Sequence, residues 1–509
     1  MTMKLHSSAS PSRAACEAAW QNGEASVVFS VEAADLLTPV SAYMRLTHLH
    51  TGAKRHSLLL ESVEGGVSRG RYSVIALLPD LIWTCHSGRV NIEADGHNTT
   101  PLERPLDSLR QLIQQTRLTL PPGLPPMIAG LFGYLGYDMV RQMEHLPDAP
   151  PDDLDLPESV LMRPSLFAVF DTVTDELILA APVRPAAGEG AGIAWDRAHA
   201  LLARARTCLA GALPATQAIQ NIPAFSEPVS TFSRDEFCDA VRHIQNYIAA
   251  GDAFQVVPSQ RFSTAFPLPS LDLYRALRRI NPAPFLFHLD FGGFALVGSS
   301  PEILVRLRAG KMTVRPLAGT RPRGQTVEED LQLEQELLAD EKEIAEHLML
   351  IDLGRNDVGR VSQPGSVTVT ERFVIERFSH VMHISSNVEG ALRPDLDALD
   401  ALVAAFPAGT LTGAPKIRAM EIIDEIERTR RATYAGCIGY FGAGGDMDTC
   451  IGLRMAVIKD GMIHVQAGCG VVADSQPESE YEETQHKARA VFRAAQTAME
   501  QAREEAGRG

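Results

Sequence analysis

The sequence predicts an α+β fold built on large, mostly antiparallel β-sheets packed with helices. Three observations carry that expectation. Strand-like stretches follow one another as hairpins instead of alternating with helices, which argues against a parallel βαβ chain. Helical periodicity is confined to separate blocks, among them 105–118, 233–251, 340–357 and a long final segment from Pro477 to about Arg503. A Pro/Ser/Thr/Ala-rich stretch at 212–232 divides the chain into two regions.

Residues 1–25 are rich in Ser and Ala and are expected to form a flexible N-terminal extension. In the first region, 26–211, HSLLLESVEGG (56–66) and GRYSVIALLP (70–79) read as strands, and LIWTCHSGRVNIEA (81–94) and SLFAVFDTVTDELILAAPV (165–183) as hairpins. A helix is expected over roughly 195–211, and 212–232 is a linker. The second region, 233–505, opens with a helix that Ser233 caps and Gly251 ends. Thr326 with Glu329, and Asp340 with Glu343, mark two more helix starts. Segments 433–442, 449–461 and 462–475 read as consecutive strands before the final helix.

At 509 residues the chain exceeds one simple core. Its 45% hydrophobic and 22% charged residues are those of an ordinary globular protein. A formal charge of -16 argues against nucleic acid or an anionic membrane as the main partner. An anionic ligand must therefore be drawn by local positive charge or by a cation. The seven cysteines are scattered and lack CxxC spacing, so neither a disulfide framework nor a zinc site is expected. With no signal-peptide core and no apolar run of spanning length, the expected location is cytoplasmic.

The chemistry concentrates in two helix starts. In DEKEIAEHLMLIDLGRND (340–357), Glu343, Glu346, His347 and Leu350 share one face, and the run Leu348–Ile351 is expected to be buried. In SQPESEYEETQHKARAVF, Ser475 and Glu478 read as a capping box. Glu480 and Glu483 repeat the spacing of Glu343 and Glu346, with Lys487 one turn beyond Glu483. Either pair alone is more often a solvated helix start that favours the dipole. Two such pairs can converge on one hard divalent cation, which takes carboxylate oxygens. Three loops, AGTRPRG (318–324), GTLTGAPK (409–416) and AGCG (467–470), add Gly-rich backbone and basic side chains that suit a small anion.

Taken together, GDAFQVVPSQRF, SSPEILVRL, RPLAGTRPRG, DEKEIAEHLMLIDLGRND, GTLTGAPK and AGCGVVADSQPESEYEET resemble the chorismate-utilising enzymes. That family includes anthranilate, aminodeoxychorismate, isochorismate and salicylate synthases. The resemblance runs without a gap from about 235 to 495. LLES (59–62), GRYS (70–73) and NPAPFLF (281–287) are similar to the N-terminal and regulatory motifs of anthranilate synthase large subunits. The resemblance makes 26–211 a regulatory region and 233–505 a chorismate-binding catalytic region with the fold of that family.

The resemblance also implies a site. Mg²⁺ would be held directly by Glu346 and Glu483 and touch the ring carboxylate of chorismate, with Glu343 and Glu480 acting through water. Glu302 would be the general acid for the departing ring hydroxyl, so its pKa should be raised by its surroundings. Ammonia would attack the ring to give aminodeoxyisochorismate, from which pyruvate is eliminated as the ring becomes aromatic. His383 is implied in that elimination; read alone it is a strand histidine paired to a backbone carbonyl. Gly319, Thr320, Tyr434, Arg454 and the Gly468, Cys469 and Gly470 backbone are implied to bind chorismate, with Cys469 standing where Ala or Ser is commoner.

Two positions discriminate within the family. Ala318 stands where aminodeoxychorismate synthases carry a lysine nucleophile, and Gln255 where isochorismate and salicylate synthases carry a lysine base. Both departures favour ammonia as the nucleophile, hence anthranilate and pyruvate as products, the first committed step of tryptophan biosynthesis. No glutaminase region is present, so the resemblance implies a separate glutaminase subunit (component II) and a hetero-oligomer. Feedback inhibition by L-tryptophan is implied by Glu61, Ser62, Pro284, Phe285 and Leu286, with Phe285 and Leu286 replacing the common Tyr and Met. The alternatives are an aminodeoxychorismate synthase or a non-catalytic chorismate- or tryptophan-binding subunit. Ala318 argues against the first, and intact Glu302, His383 and both acid pairs argue against the second.

Overall fold

A computed structural model describes residues 10–50, 56–64, 68–94, 96–186, 188–214, 219, 221–378 and 381–506. The fold turns on the strand Ser57–Glu64. On one side it pairs with Ser68–His86, and on the other with Phe285–Asp290, more than two hundred residues away in the chain. Leu58 and Leu59 are fully buried there, and the alternation of this strand sends them to opposite faces of the sheet. The regions expected over 26–211 and 233–505 therefore share one sheet. A second bridge between them is made by Gly130–Leu135 against Cys437–Gly442.

Among the described strands every ladder is antiparallel, and they join into one twenty-one-stranded sheet plus a two-stranded one. The α+β expectation holds, and both expected hairpins are present. Ser87 and Gly88, both at positive φ, turn Ser68–His86 into Arg89–Ala94 as a tight hairpin turn requires. Ser159–Asp171 returns as Glu176–Val183. One continuous core joins Leu59, Ile75 and Leu166 to Leu273, Leu277 and Val491, so burial also crosses the linker.

Local signals placed several helices well. Ser233 accepts from Glu236 N while Glu236 reaches back, and Gly251 ends the helix Arg234–Ala250 in the left-handed conformation. Thr326 caps Val327–Ala339. Asp340 caps Glu341–Gly359 through Lys342 N and Glu343 N, but the box does not close, because Glu343 turns to Arg321 instead.

Four expectations are revised. The segment read as a flexible extension is helical over Arg13–Gln21, because Cys16 and Trp20 pack into the core and Arg13 pairs with Asp196 on the helix Ala191–Ala210. That second helix starts four residues earlier than its periodicity suggests. Residues 1–9 of the extension, and 215–218 and 220 of the linker, lie outside the described residues. Within the linker, Val229–Ser230 adds a short strand beside Phe262–Ser263. Finally, the run Leu348–Ile351 is not buried all round: Leu350 and Ile351 are, while Leu348 is 48% exposed. The buried stripe is His347, Leu350, Ile351, Gly354, Asp357 and Val358, as a period of 3.6 dictates.

Candidate active site and ligand cavity

The two acid-bearing helices are anchored by their apolar stripes, and that anchoring aims their first turns. On Glu341–Gly359, His347 Nε2 lies 2.7 Å from Ser386 Oγ of the strand Val381–Ala391. On Pro477–Ala506, the stripe Thr484, Ala488, Val491, Ala495 is buried, which leaves Glu480, Glu483 and Lys487 at the edge of the core. Glu346 is pushed up from the usual carboxylate range, first by burial and then by Glu343 and Glu483; Gln255, 3.3 Å away, partly offsets this. Burial and Glu483 likewise raise Glu480, against hydrogen bonds from Ser475 and Cys469. Acids from both helices thus face one another at a cost that a divalent cation would offset, so the donor set fits a hard metal ion.

Each of these acids also has protein partners. Arg321 reaches Glu343 at 3.3 Å and Asp340 at 2.8 Å. Lys487 Nζ lies 2.5 Å from Glu483 and donates to the Gly468 carbonyl at 2.9 Å. Among the described residues, no three His, Cys, Asp or Glu side chains stand in a ready metal cluster. Direct ligation by Glu483 would displace Lys487.

The residues implied for chorismate surround this region. Gly319, at φ +64°, is left-handed, and a Cβ there would come within 3.1 Å of Glu343 Oε2, so glycine is needed for both conformation and space. Its carbonyl lies 2.7 Å from His383 Nδ1, and Thr320 Oγ1 lies 3.1 Å away. A carbonyl only accepts, so Nδ1 carries the proton and Nε2 is the basic nitrogen. Burial lowers the His383 pKa, which keeps the ring neutral at neutral pH. The backbone-paired histidine expected from the strand alone is therefore what the structure contains. The Tyr434 hydroxyl stands 3.0 Å from where a Cβ on Gly468 would be, and Gln255 Nε2 stands 2.9 Å from the corresponding point on Gly470. Arg454, left-handed at φ 52°, donates to the Lys487 carbonyl at 3.1 Å. Cys469 offers its backbone and directs a fully buried thiol to Glu480.

Glu302 follows the strand Phe294–Ser300 and is 8% exposed. Its carboxyl accepts from Thr410 Oγ1 at 3.1 Å. Burial dominates and pushes its pKa up to about 8, so it is an acid at neutral pH. Lys487 is felt by both Glu302 and His383, which ties these two residues to the acid-bearing helix. Sequence reasoning placed Lys487 on the right face but gave it no role; its signal was the spacing from Glu483. Thr410 carried no signal beyond its Gly-rich loop. Arg321, Arg323 and Lys416, read as anion donors, are engaged elsewhere: Arg321 as above, Arg323 with Asp330, and Lys416 with Asp357.

A separate cavity of about 860 Å³ contains all five residues implied for tryptophan. Ser62 lies opposite Phe285 and Glu61 opposite Leu286 in the ladder, with Pro284 just before it. The Glu61 carboxylate accepts from Arg278 Nε at 2.6 Å and from the Tyr274 hydroxyl at 2.5 Å. The lining adds Arg71, from the GRYS motif, and Tyr440 and Asp448, which the sequence did not mark. Arg71, Arg306, Arg308, Arg315 and Arg377 also line the cavity, and each is paired with an acid: Arg71 with Asp171, Arg306 and Arg308 with Asp448, Arg315 with Glu376, and Arg377 with Asp330.

The family model described as chorismate binding enzyme matches residues 70–493. The chain is 53% identical over 487 residues to anthranilate synthase component 1 of Cereibacter sphaeroides, covering 95% of this chain and 97% of that one. It is 50% identical over 470 residues to the protein of that name in Pseudomonas aeruginosa, covering 91% and 93%. The crystal structure of anthranilate synthase component I from Streptococcus pneumoniae superposes with a TM-score of 0.74 at 35% identity, over 90% of this chain and 98% of that one. The menaquinone-specific isochorismate synthase of Escherichia coli, at 18% identity, shares the fold with a TM-score of 0.69 over 94% and 99%.

Proposed function

We infer the function from one premise: the chain belongs to the chorismate binding enzyme family. Within it, its activity is that of the anthranilate synthase component 1 proteins it matches over nearly its whole length, the conversion of chorismate and ammonia to anthranilate and pyruvate. Ala318, buried on the strand Leu317–Pro322, offers no amine for the aminodeoxychorismate route.

The residue roles follow from the chemistry each group can perform. Glu302 holds a proton at neutral pH and delivers it to the ring hydroxyl, which leaves as water while ammonia attacks the ring. The ring ammonium then loses a proton, so the step is proton-neutral. His383, neutral and basic at Nε2, takes the ring proton as the ring C–O bond to the enolpyruvyl group breaks, and the departing enolate takes a proton at its methylene carbon to become pyruvate. Tyr434, Arg454 and the backbone of Gly319, Thr320 and Gly468–Gly470 bind and orient chorismate. Glu346 and Glu483 would hold Mg²⁺, with Glu343 and Glu480 through water, and the bound ion supplies positive charge to the ring carboxylate. The observation that carries this reading is the burial that keeps Glu302 protonated.

The test is direct. Purified chain with chorismate, Mg²⁺ and ammonium should develop anthranilate fluorescence. Aminodeoxychorismate as the product would transfer the chain to the rival chemistry, and no product at all would refute both readings. A glutaminase partner is proposed as the physiological ammonia source, in line with the component 1 name of the relatives. No helix among the described residues is long and apolar enough to cross a membrane, and all seven cysteines are free, which supports a reducing cytoplasmic location.

The cavity beside Glu61 is proposed as the tryptophan site. At about 860 Å³ it has room for an amino acid with a large aromatic side chain. Replacing Ser62 by Ala removes one hydrogen-bonding group from its wall. The inhibitory concentration of tryptophan should then rise on the order of 5- to 30-fold, one lost hydrogen bond, with kcat unchanged. Inhibitor titration of the two proteins measures this, and identical curves would remove Ser62 from the site.

A further inference from the structure

A second and much smaller cavity of about 40 Å³ is lined by Glu302 and by the second half of the helix Glu341–Gly359. Glu302 and Thr410 form part of its lining, and Asp357 and Leu353 another part. The volume holds at least one water molecule, which needs about 10–15 Å³. Asp357 lies near the C-terminal end of the helix Glu341–Gly359, about 16 Å along the axis from Glu346 at ~1.5 Å per residue.

Asp357 is 5% exposed. Its Oδ2 accepts from Lys416 Nζ at 3.1 Å. Its Oδ1 is buried with no hydrogen-bond partner among the described residues. A buried carboxylate oxygen without a donor is costly, and proteins seldom retain one without a use. Lys416 also donates to the Ala405 carbonyl at 3.1 Å and is the more exposed of the pair. Glu302 must regain a proton after every turnover, and burial keeps bulk water from its carboxyl.

We propose that Asp357 and Lys416 form a proton relay that reloads Glu302 through water in the cavity between them. The relay rests on the reading of Glu302 as the general acid. The Lys416 ammonium passes its proton to the Asp357 carboxylate, the Asp357 carboxyl so formed gives one to the cavity water, and the water gives one to the Glu302 carboxylate. Lys416 recovers a proton from solvent. Only O–H and N–H bonds form and break, and one proton enters per turnover, matched by the one the ring ammonium releases.

The pair is tuned for such transfer. Burial raises the Asp357 carboxyl and lowers the Lys416 ammonium, so their proton affinities approach one another. The charged groups that face Asp357 are Lys416 and Arg360, and those that face Lys416 are Asp357, Arg360 and Glu144. Glu302 is faced by Lys487 and Glu376. Arg315 also lines the small cavity, but Glu376 and Ser385 hold its guanidinium. Asp357 is thus a positioning residue that acts through Glu302.

The experiment compares the parent with Asp357→Asn, Ala408→Val and Glu302→Gln, using the full chain with chorismate, Mg²⁺ and ammonium. Ala408 also lines the small cavity, where Val adds two methyl groups that crowd out its water. In both Asp357→Asn and Ala408→Val, kcat should fall about tenfold or more with KM within about twofold, and the solvent deuterium isotope effect on kcat should rise. If Asp357→Asn fails to fold, Ala408→Val carries the test alone. Parental kcat in the folded variants, or a loss of rate with an unchanged isotope effect, would overturn the relay. An active Glu302→Gln would instead overturn the general-acid reading, and an inactive Glu302→Gln beside a fully active Asp357→Asn would leave that reading standing and remove the relay alone.

Discussion

Glu302→Gln should lower anthranilate formation by about 10²- to 10⁴-fold, or ~3–5 kcal/mol of barrier, with chorismate binding largely retained. Gln keeps the shape and still accepts from Thr410, but it has no proton to give to the leaving hydroxyl. The same residue sets a pH dependence. Burial holds the Glu302 pKa at about 8, against a usual 4.5, so the acid form is lost as pH rises through about 8. Rates normalised to the concentration of unprotonated ammonia should therefore fall above that pH in the parent. Stability moves the same way. The folded state binds the Glu302 proton more tightly than the unfolded state does, so its contribution is full below pH 4.5 and is lost as pH rises to about 8. The Gln variant lacks that titration and should melt at an equal or higher temperature than the parent at pH 8. Steady-state kinetics and thermal melts across pH 6–9 give both readouts. A variant with parental turnover would end the general-acid assignment.

Glu302 was legible only through the family resemblance of its motif, not through periodicity or spacing. SSPE carries no periodic signal, and the elevated pKa arises from the strands and the Thr410 loop that close over it. Local chemistry was more legible. Ser233 and Gly251 bound their helix as a capping box and a left-handed glycine do anywhere. The 343/346 and 480/483 spacings could be read because i and i+3 share a face on any helix. What was not legible depends on distant pairing. Ser57–Glu64 becomes the seam only when it meets Phe285–Asp290, and nothing in either strand names the other. That register sets Glu61 against Leu286 and Ser62 against Phe285, turning two short motifs into one cavity wall. Lys416 illustrates the converse: its Gly-rich loop suggested an anion, whereas the fold gave it Asp357 as a buried partner. Leu348 misled because four apolar residues in a row look buried, while a helix packed on one side buries only the stripe.

The two cavities meet at Arg315, which lines both. It is held by Glu376 and by Ser385 of the strand that also carries His383. Glu376 in turn is felt by Glu302 and by His383. An occupant of the large cavity therefore borders, through the Arg315 guanidinium, on the two groups proposed to move protons. This adjacency is the physical basis on which a ligand bound near Glu61 could alter turnover without touching chorismate.

Glu346→Gln and Glu483→Gln should each lower Mg²⁺-dependent turnover by at least about 100-fold, since losing outer-shell support alone typically costs 10- to 100-fold. Glu343→Gln and Glu480→Gln should fall within that smaller range, about 10- to 100-fold. The fold should survive all four. Burial and the facing Glu343 and Glu483 raise the Glu346 pKa, so its ionised form costs stability, a cost absent below the usual carboxylate range and growing as pH rises. Replacing it with Gln removes that repulsion, and the metal-free variant should melt no lower than the metal-free parent at pH 7. Mg²⁺ should act in the opposite direction on the parent: a ligand at 100 times its Kd stabilises by about 2.7 kcal/mol, which registers as a rise in melting temperature. In Glu346→Gln that rise should shrink or vanish. The thermal shift is independent of turnover, so it separates loss of the ion from loss of chemistry. An unchanged Mg²⁺ shift together with near-parental turnover in Glu346→Gln would show that its carboxylate does not hold the ion. An unchanged shift with turnover lost would move Glu346 from the metal to the substrate. Lys487 supplies the last discrimination, because it now pairs with Glu483. If Mg²⁺ binds through Glu483, it must release Lys487, and Lys487→Met should therefore bind Mg²⁺ more tightly than the parent does.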